Sequence, residues 1–497
     1  MTEHYQEFED KVKTLNTIGQ VRSLLHWDQQ VMMPEEGIKA RSRQNSELAK
    51  IYHQKITEDR LGELIQVIDS GELEKEQKAN LREVGREHER AVKVPEELEE
   101  KISEKQSTTV SKWEIAKEEE DFSIVAPHLG DLVELKRRYA DEIDSSREPY
   151  QVLFDDFEPY IDFETMERIM EKLKRELTDL VEEIREADDM DGEALSGDFP
   201  EEGQREISER VVDLLGFDRD RGRFDVSTHP FTSEGNTYDT RMTTRFDEEN
   251  LAESISATVH ETGHALYGQG LPDELFATHA GKARDFSVHE SQSRLWENHV
   301  GKSVEFWENI LPELKEIFPE QMEDVSPEDC YRAINRVDPE NLIRINADEV
   351  TYHLHIIIRF ELERKLINGE LEVEDLPEEW NRRYEKYLGV EPGNDAEGVM
   401  QDIHWYQGSF GYFTTYSLGS VLAAQIYRKA EEEIENLDEK IREGELSPLR
   451  EWLREEIHQK GCIYRTGELV EQATGEQPTA DYFLEYIRQK YEDLYSL

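Results

Sequence analysis

The sequence predicts a mainly α-helical protein, and three observations carry that expectation. Apolar residues recur at three- and four-residue steps along most of the chain. Strand-like alternation is confined to a stretch between about residues 220 and 246. Charged residues make up 35% of the chain and alternate in sign along runs that suit solvated helix faces.

The 497 residues are ample for a sizeable core, and 36% of them are hydrophobic, seven of them Trp, which argues against disorder. With 115 Asp+Glu against 59 Lys+Arg, the formal net charge is −56. Such a surface repels nucleic acid and anionic membranes, so neither is expected as a partner. It suits a salt-rich cytoplasm, where screening relieves the self-repulsion, so the chain is expected to be halophilic. Cys330 and Cys462 are the only cysteines and imply no disulfide framework. The first thirty residues lack a basic segment followed by an apolar run, and no apolar stretch approaches the ~18 residues of a membrane span. The expectation is a cytoplasmic protein.

In chain order, Tyr5, Phe8, Val12, Leu15 and Ile18 form the apolar stripe of a first helix, and Met32-Met33-Pro34 breaks it. Charge-laced helices follow to about residue 145, with Pro95 placed to begin one. Residues 147–159 interrupt the helical period. Met166, Ile169, Leu173, Leu177, Leu180 and Ile184 then share one helix face. Residues 186–203 read as an exposed loop. Arg223–Val226 and Tyr238–Phe246 alternate as strands, separated by the turn chemistry of His229-Pro230-Phe231 and Glu234-Gly235-Asn236. A small antiparallel sheet is therefore expected, with an edge able to pair with an extended peptide. Helices fill the rest. No linker divides the chain, so residues 1–497 read as a single domain.

Just after the expected sheet comes His260-Glu261-Thr262-Gly263-His264. On a helix the two imidazoles lie one turn apart on one face, where they can grip one metal ion, and Glu261 can act on a coordinated water. Asp247 suits the N-cap, Glu248 and Glu249 the first turn, and Gly268, Gly270 and Pro272 the stop. A zinc hydrolase needs a third ligand. His289-Glu290-Ser291-Gln292 offers Glu290, with His289 its rival; an ordinary i,i+4 pair of Glu290 with Arg294 fits as well.

These segments occur in order with His229-Pro230-Phe231, Asp239-Thr240-Arg241-Met242-Thr243, Ile343 to Asp348 and Gly398 to Trp405. Together with Trp27-Asp28, Met33-Pro34 and Asp155-Asp156-Phe157-Glu158, they resemble the thermostable zinc carboxypeptidases of the carboxypeptidase Taq family across essentially the whole chain. The resemblance implies zinc, for which cobalt can substitute, held by His260, His264 and Glu290, with Glu261 as general base. Oxyanion donors are sought in His404 with Tyr412 or Tyr416; an ordinary buried aromatic is the alternative for either tyrosine. Arginine matches a terminal carboxylate best, so Arg344 is the first candidate clamp and Arg241 the second. An i,i+4 pair with Asp348 is the alternative for Arg344. Asp348 or Asp402 are candidates to orient a zinc histidine, and His229 to line the pocket. His353 and His355 read as core histidines. The resemblance further implies a deep groove between two helical halves, a homodimer, and release of single residues from peptide C-termini with broad specificity, poor on proline. The rivals are an oligopeptidase with the same site and a non-catalytic peptide-binding protein.

Overall fold

The first helix, Glu3–Val31, buries Tyr5, Phe8, Val12 and Leu15 and ends ahead of Pro34. The computed structural model describes residues 3–188, 190 and 192–497. Helices continue as Ile38–Ile56, Asp59–Val67, Lys75–Lys93, Glu96–Glu118 and Ala126–Asp144. Pro95 is the N-cap of its helix, one residue before the expected position. The interruption at 147–159 contains a single short helix, Pro149–Phe154, whose Tyr150, Val152, Leu153 and Phe154 are all buried. Phe163–Glu186 buries the whole expected stripe from Met166 to Ile184.

The stretch 186–203 is not simply exposed. Leu195 and Phe199 are buried, with the Phe199 ring edge-on to Phe318 at 5.1 Å, and Glu201–Leu215 is already helical. Asp189 and Asp191 of that stretch lie outside the described residues.

The sheet has three strands, β1 (Gly222–Val226), β2 (Thr232–Asn236) and β3 (Asp239–Thr244), in the order β1-β3-β2. It is mixed rather than antiparallel: β3 pairs antiparallel with β2 but parallel with β1. Much of the stretch that reads as turn chemistry is therefore strand, with an irregularity between Glu234 and Asn236 that accommodates Gly235. The buried face of β3 packs on Leu251–Gly270, where Met242 meets Ala265 and the Thr244 hydroxyl lies 3.0 Å from that of Thr258.

Two large hydrophobic cores divide the rest. One is built from residues 94–184, 337–424 and 480–491, the other from residues 195–330 and 422–473. They meet on one helix, Thr414–Glu433. Leu418, Val421 and Ala424 face the first core, while Leu422, Ala423, Ile426 and Ala430 face the second. Among the described residues, no helix is long and apolar enough to cross a membrane.

Candidate metal centre

His260, Glu261 and His264 lie mid-way along the helix Leu251–Gly270. It starts later than its sequence suggests. Asn250 is the N-cap, while Asp247 forms a preceding turn, its Oδ1 accepting from the Glu249 amide at 2.9 Å. Glu290 comes from the next helix, Phe286–Arg294. Ligand atoms of His260, His264 and Glu290 all lie within 4.8 Å of one another. Glu290 Oε2 is 3.4 Å from His264 Nε2 and 3.7 Å from His260 Nε2. Donors of tetrahedral zinc, at bonds of about 2.0–2.1 Å, stand roughly 3.3 Å apart, so two nitrogens and an oxygen in this arrangement fit that ion.

The electrostatics suit ligation. Burial lowers the His264 pKa to about 3, leaving the imidazole neutral with a lone pair to give. Burial opposes ionisation of Glu290, but Arg294 and the two histidines hold it well below the usual carboxylate range. Glu290 therefore does both things its sequence allows: Oε2 faces the histidines while Oε1 accepts from Arg294 Nε at 2.8 Å. His289 is not in the donor cluster; its ring stacks on His264, centroids 4.3 Å apart.

The helix carrying Glu290 is gripped from both sides. A methyl group at Gly263 would come within 2.7 Å of Ser293 Cα and 2.8 Å of the Gln292 carbonyl oxygen, and one at Gly419 within 2.5 Å of Glu290 Cγ. Only glycine permits those approaches. Its N-terminus is capped from a distance: fully buried Glu158 accepts from the Ser287 amide at 2.5 Å and the Ser287 hydroxyl at 2.7 Å.

Beyond Glu290 a second cluster assembles. Tyr416 OH is 3.3 Å from His404 Nε2, and its ring lies 5.2 Å from that of Tyr412. Burial lowers the His404 pKa to about 4, so the ring is neutral near pH 7, and raises that of Tyr412 to about 12. Arg344, 6% exposed, stacks over Tyr416 with Cζ 5.2 Å from the ring centroid. Its partner is Asp402, reached by Nε at 2.9 Å and Nη2 at 2.7 Å, not Asp348. Asp348 instead accepts from the Thr351 amide and hydroxyl at the start of the helix Thr351–Asn368. Nη1 of Arg344 makes a 3.5 Å contact with Tyr352 OH, and Tyr352 in turn lies under Arg294. A continuous set of contacts thus joins Glu290 to Arg344.

Residues 7–491 match the family described as carboxypeptidase Taq (M32) metallopeptidase. The chain belongs to this family. It is a metallocarboxypeptidase, a peptide hydrolase. Thermostable carboxypeptidase 1 of Thermus thermophilus is 39% identical over 503 residues, covering 98% of each chain. Carboxypeptidase 1 of Bacillus subtilis is 36% identical, covering 99% of each. The crystal structure of the M32 carboxypeptidase from Deinococcus radiodurans superposes with a TM-score of 0.96 at 35% identity over 100% of both chains. The Pyrococcus furiosus carboxypeptidase gives 0.95 at 36% identity over 99% of both.

Two further contacts in this metallocarboxypeptidase escape the sequence. Glu297 Oε2 lies 2.8 Å from His260 Nδ1, which places the proton there and points Nε2 at the cluster. Arg294 Nη1 and Lys302 Nζ, each 3.1 Å away, hold Glu297 ionised against its burial. The residue orienting His260 is therefore neither Asp348 nor Asp402, which is bound by Arg344 and Arg359. Glu297 follows Glu290 by seven residues, but it lies in a π-helical turn, so that spacing does not place it on the α-helical face of Glu290. Second, the Thr232 hydroxyl at the start of β2 donates to Glu261 Oε2 at 2.7 Å. Burial raises the Glu261 pKa, against the lowering effects of His260 and Thr232. Arg241 lies on β3 and His229 in the loop between β1 and β2. Arg241 is paired with Asp239 at 2.7 and 2.9 Å and lies over the Trp27 ring, and His229 is exposed in the loop after β1. His353 and His355 are core histidines, bonded to Ser417 and Tyr384.

Proposed function

We propose that the chain is a zinc carboxypeptidase releasing single amino acids from the C-termini of peptides, with the ion held by His260, His264 and Glu290. The observation that carries this reading is the convergence of those three donors beside Glu261 in a member of a metallocarboxypeptidase family. Zinc, when bound, supplies a Lewis acid for the scissile carbonyl and lowers the pKa of a coordinated water to ~7.

The chain's own residues do the rest. Glu261 takes the proton of the attacking water and returns it to the leaving amine; its raised pKa brings the carboxylate closer to that task, and Thr232 fixes which oxygen faces the substrate. Neutral His404 and the hydroxyls of Tyr416 and Tyr412 are donors for the developing oxyanion. Arg344 recognises the terminal carboxylate through its Nη1 edge, since its other two nitrogens are held by Asp402. Both arginines are paired through Nε and Nη2, but Arg344 lies over Tyr416 and reaches Arg294 through Tyr352, whereas Arg241 lies over Trp27, which favours Arg344. His229 is assigned to the lining of the substrate pocket. The chain acts as one catalytic domain, with a groove between the two cores, and forms a homodimer in a salt-rich cytoplasm. Broad specificity, poor release of proline and substitution by cobalt complete the reading.

The test uses one defined peptide as free acid and as C-terminal amide, with and without chelator. Stepwise loss of single C-terminal residues from the acid alone, abolished by chelator, is expected. Equal cleavage of the amide, or internal cuts, would favour an oligopeptidase and remove the role given to Arg344. Glu261→Gln should retain metal and lose cleavage; unchanged cleavage by that variant overturns the mechanism.

A further inference from the structure

Three aromatic rings close on one another beside the metal cluster. Phe157 and Phe286 stand 5.8 Å apart at 72°, Phe157 and Tyr412 5.1 Å at 83°, and Phe286 and Tyr412 5.4 Å at 73°. All three pairs are edge-to-face, the favoured geometry for isolated ring contacts. Yet Phe286 is 46% exposed, in a chain with a net charge of −56. It precedes Glu290 by four residues on the same helix and so shares a face with that carboxylate, one turn away.

The wall is built, not incidental. Phe157 and Phe286 each stand immediately before a member of the Glu158–Ser287 clamp, so the buried hydrogen bonds that start the Glu290 helix also set the two rings edge to edge. Tyr412 adds the third ring from the strand of chain that carries the oxyanion candidates. Contacts run in series from Arg344 to Tyr416, from Tyr416 to Tyr412, and from Tyr412 to Phe286. Two tyrosine rings therefore separate the carboxylate clamp from the exposed phenylalanine.

We infer that Phe157, Phe286 and Tyr412 form a substrate subsite for a large apolar side chain on the penultimate residue, the one preceding the amino acid released. The inference rests on Arg344 holding the terminal carboxylate. With that end fixed and the scissile carbonyl at the metal cluster, the side chain on the far side of the bond meets the exposed face of Phe286. Covering that ring removes apolar surface from water on both partners, and a hydrophobic subsite discriminates through this term.

The test measures kcat/KM for N-acyl-Phe-Leu against N-acyl-Ala-Leu, which differ at the penultimate residue, and for N-acyl-Ala-Leu against N-acyl-Ala-Ala, which differ at the released one. In Phe286→Ala the Phe/Ala ratio at the penultimate position should fall by about tenfold, the scale of discrimination in apolar pockets. Phe286→Leu, which keeps apolar bulk, should fall between that variant and wild type, and it controls for any folding defect in Phe286→Ala. The ratio at the released residue should stay within twofold. An unchanged penultimate ratio, or a change confined to the released residue, overturns the inference while the requirement for a free C-terminus stands. Equal cleavage of amides would instead defeat the carboxypeptidase reading itself.

Discussion

Replacing Gly419 by alanine tests how the helix carrying Glu290 is positioned. The added methyl would lie 2.5 Å from Glu290 Cγ, 2.6 Å from its Cβ and 3.2 Å from its carbonyl carbon. Ordinary contacts need 3.4–4 Å, so either Glu290 or the helix Thr414–Glu433 must move by about 1 Å, a displacement that can lower a rate by roughly 100-fold. The second core backs Glu290 from the opposite side through Gly263, so the strain has no easy outlet. Overpacking of this kind costs about 1–3 kcal/mol of stability. Gly19, mid-way along Glu3–Val31 with nothing within 4 Å of its would-be methyl, is the matched control. Alanine there should add about 0.5–1 kcal/mol and leave the kinetics alone. The assay is kcat/KM on a blocked dipeptide, with metal affinity from chelator competition and thermal unfolding of both variants. If Gly419→Ala keeps rate and metal affinity within twofold of wild type, close helix approach does not place the ligand.

Glu297→Gln removes the charge that orients His260 and should weaken metal binding about 10–100-fold, read by the same competition; unaltered affinity would refute the orienting role. Burial lowers the pKa values of His299, His353 and His458 to about 3 each. Each therefore contributes stability that is complete above the unfolded value of ~6.5 and lost as pH falls toward the folded one, at about 1.4 kcal/mol per unit. Ring-proton resonances should show no protonation of these three above pH 5, and a midpoint near 6.5 for any of them contradicts the argument. Lowering KCl from molar to millimolar should unfold the chain and abolish activity, because a net charge of −56 is then unscreened. Full retention of circular dichroism and activity would show that salt adaptation is not what the acidity serves.

The parts of this architecture that repeat locally were readable in the sequence. The stripe from Met166 to Ile184 is buried because its period matches a helix, and His260 and His264 share a face for the same reason. What escaped depends on neighbours distant in sequence. Strand β2 carries Gly235 and Asn236, which locally favour a turn, and its pairing with β3 overrides them. The parallel pairing of β1 with β3 leaves no mark on alternation, which is alike in both orientations. Glu297 sits in a π-helical turn, Leu295–Gly301, where the wider ring shifts side chains off the α-helical face, so only the fold brings it to His260. Thr232 reaches Glu261 from that same misread strand. Arg344 lies in a short 3-10 turn, so its expected helical neighbour Asp348 is out of reach and Asp402 takes its place.

The helix Thr414–Glu433 serves both cores, and this bears on how the chain comes apart. Neither core can lose that helix without opening the other, so the two should melt in one transition despite their separate hydrophobic contents. Glu290 packs directly on its Gly419. An ion bound at Glu290 would then raise the unfolding temperature of both halves together, by mass action on a single equilibrium. Chelation should reach as far as the C-terminal helix Asp481–Tyr495, which packs against the same shared helix through Phe483 and Ile487.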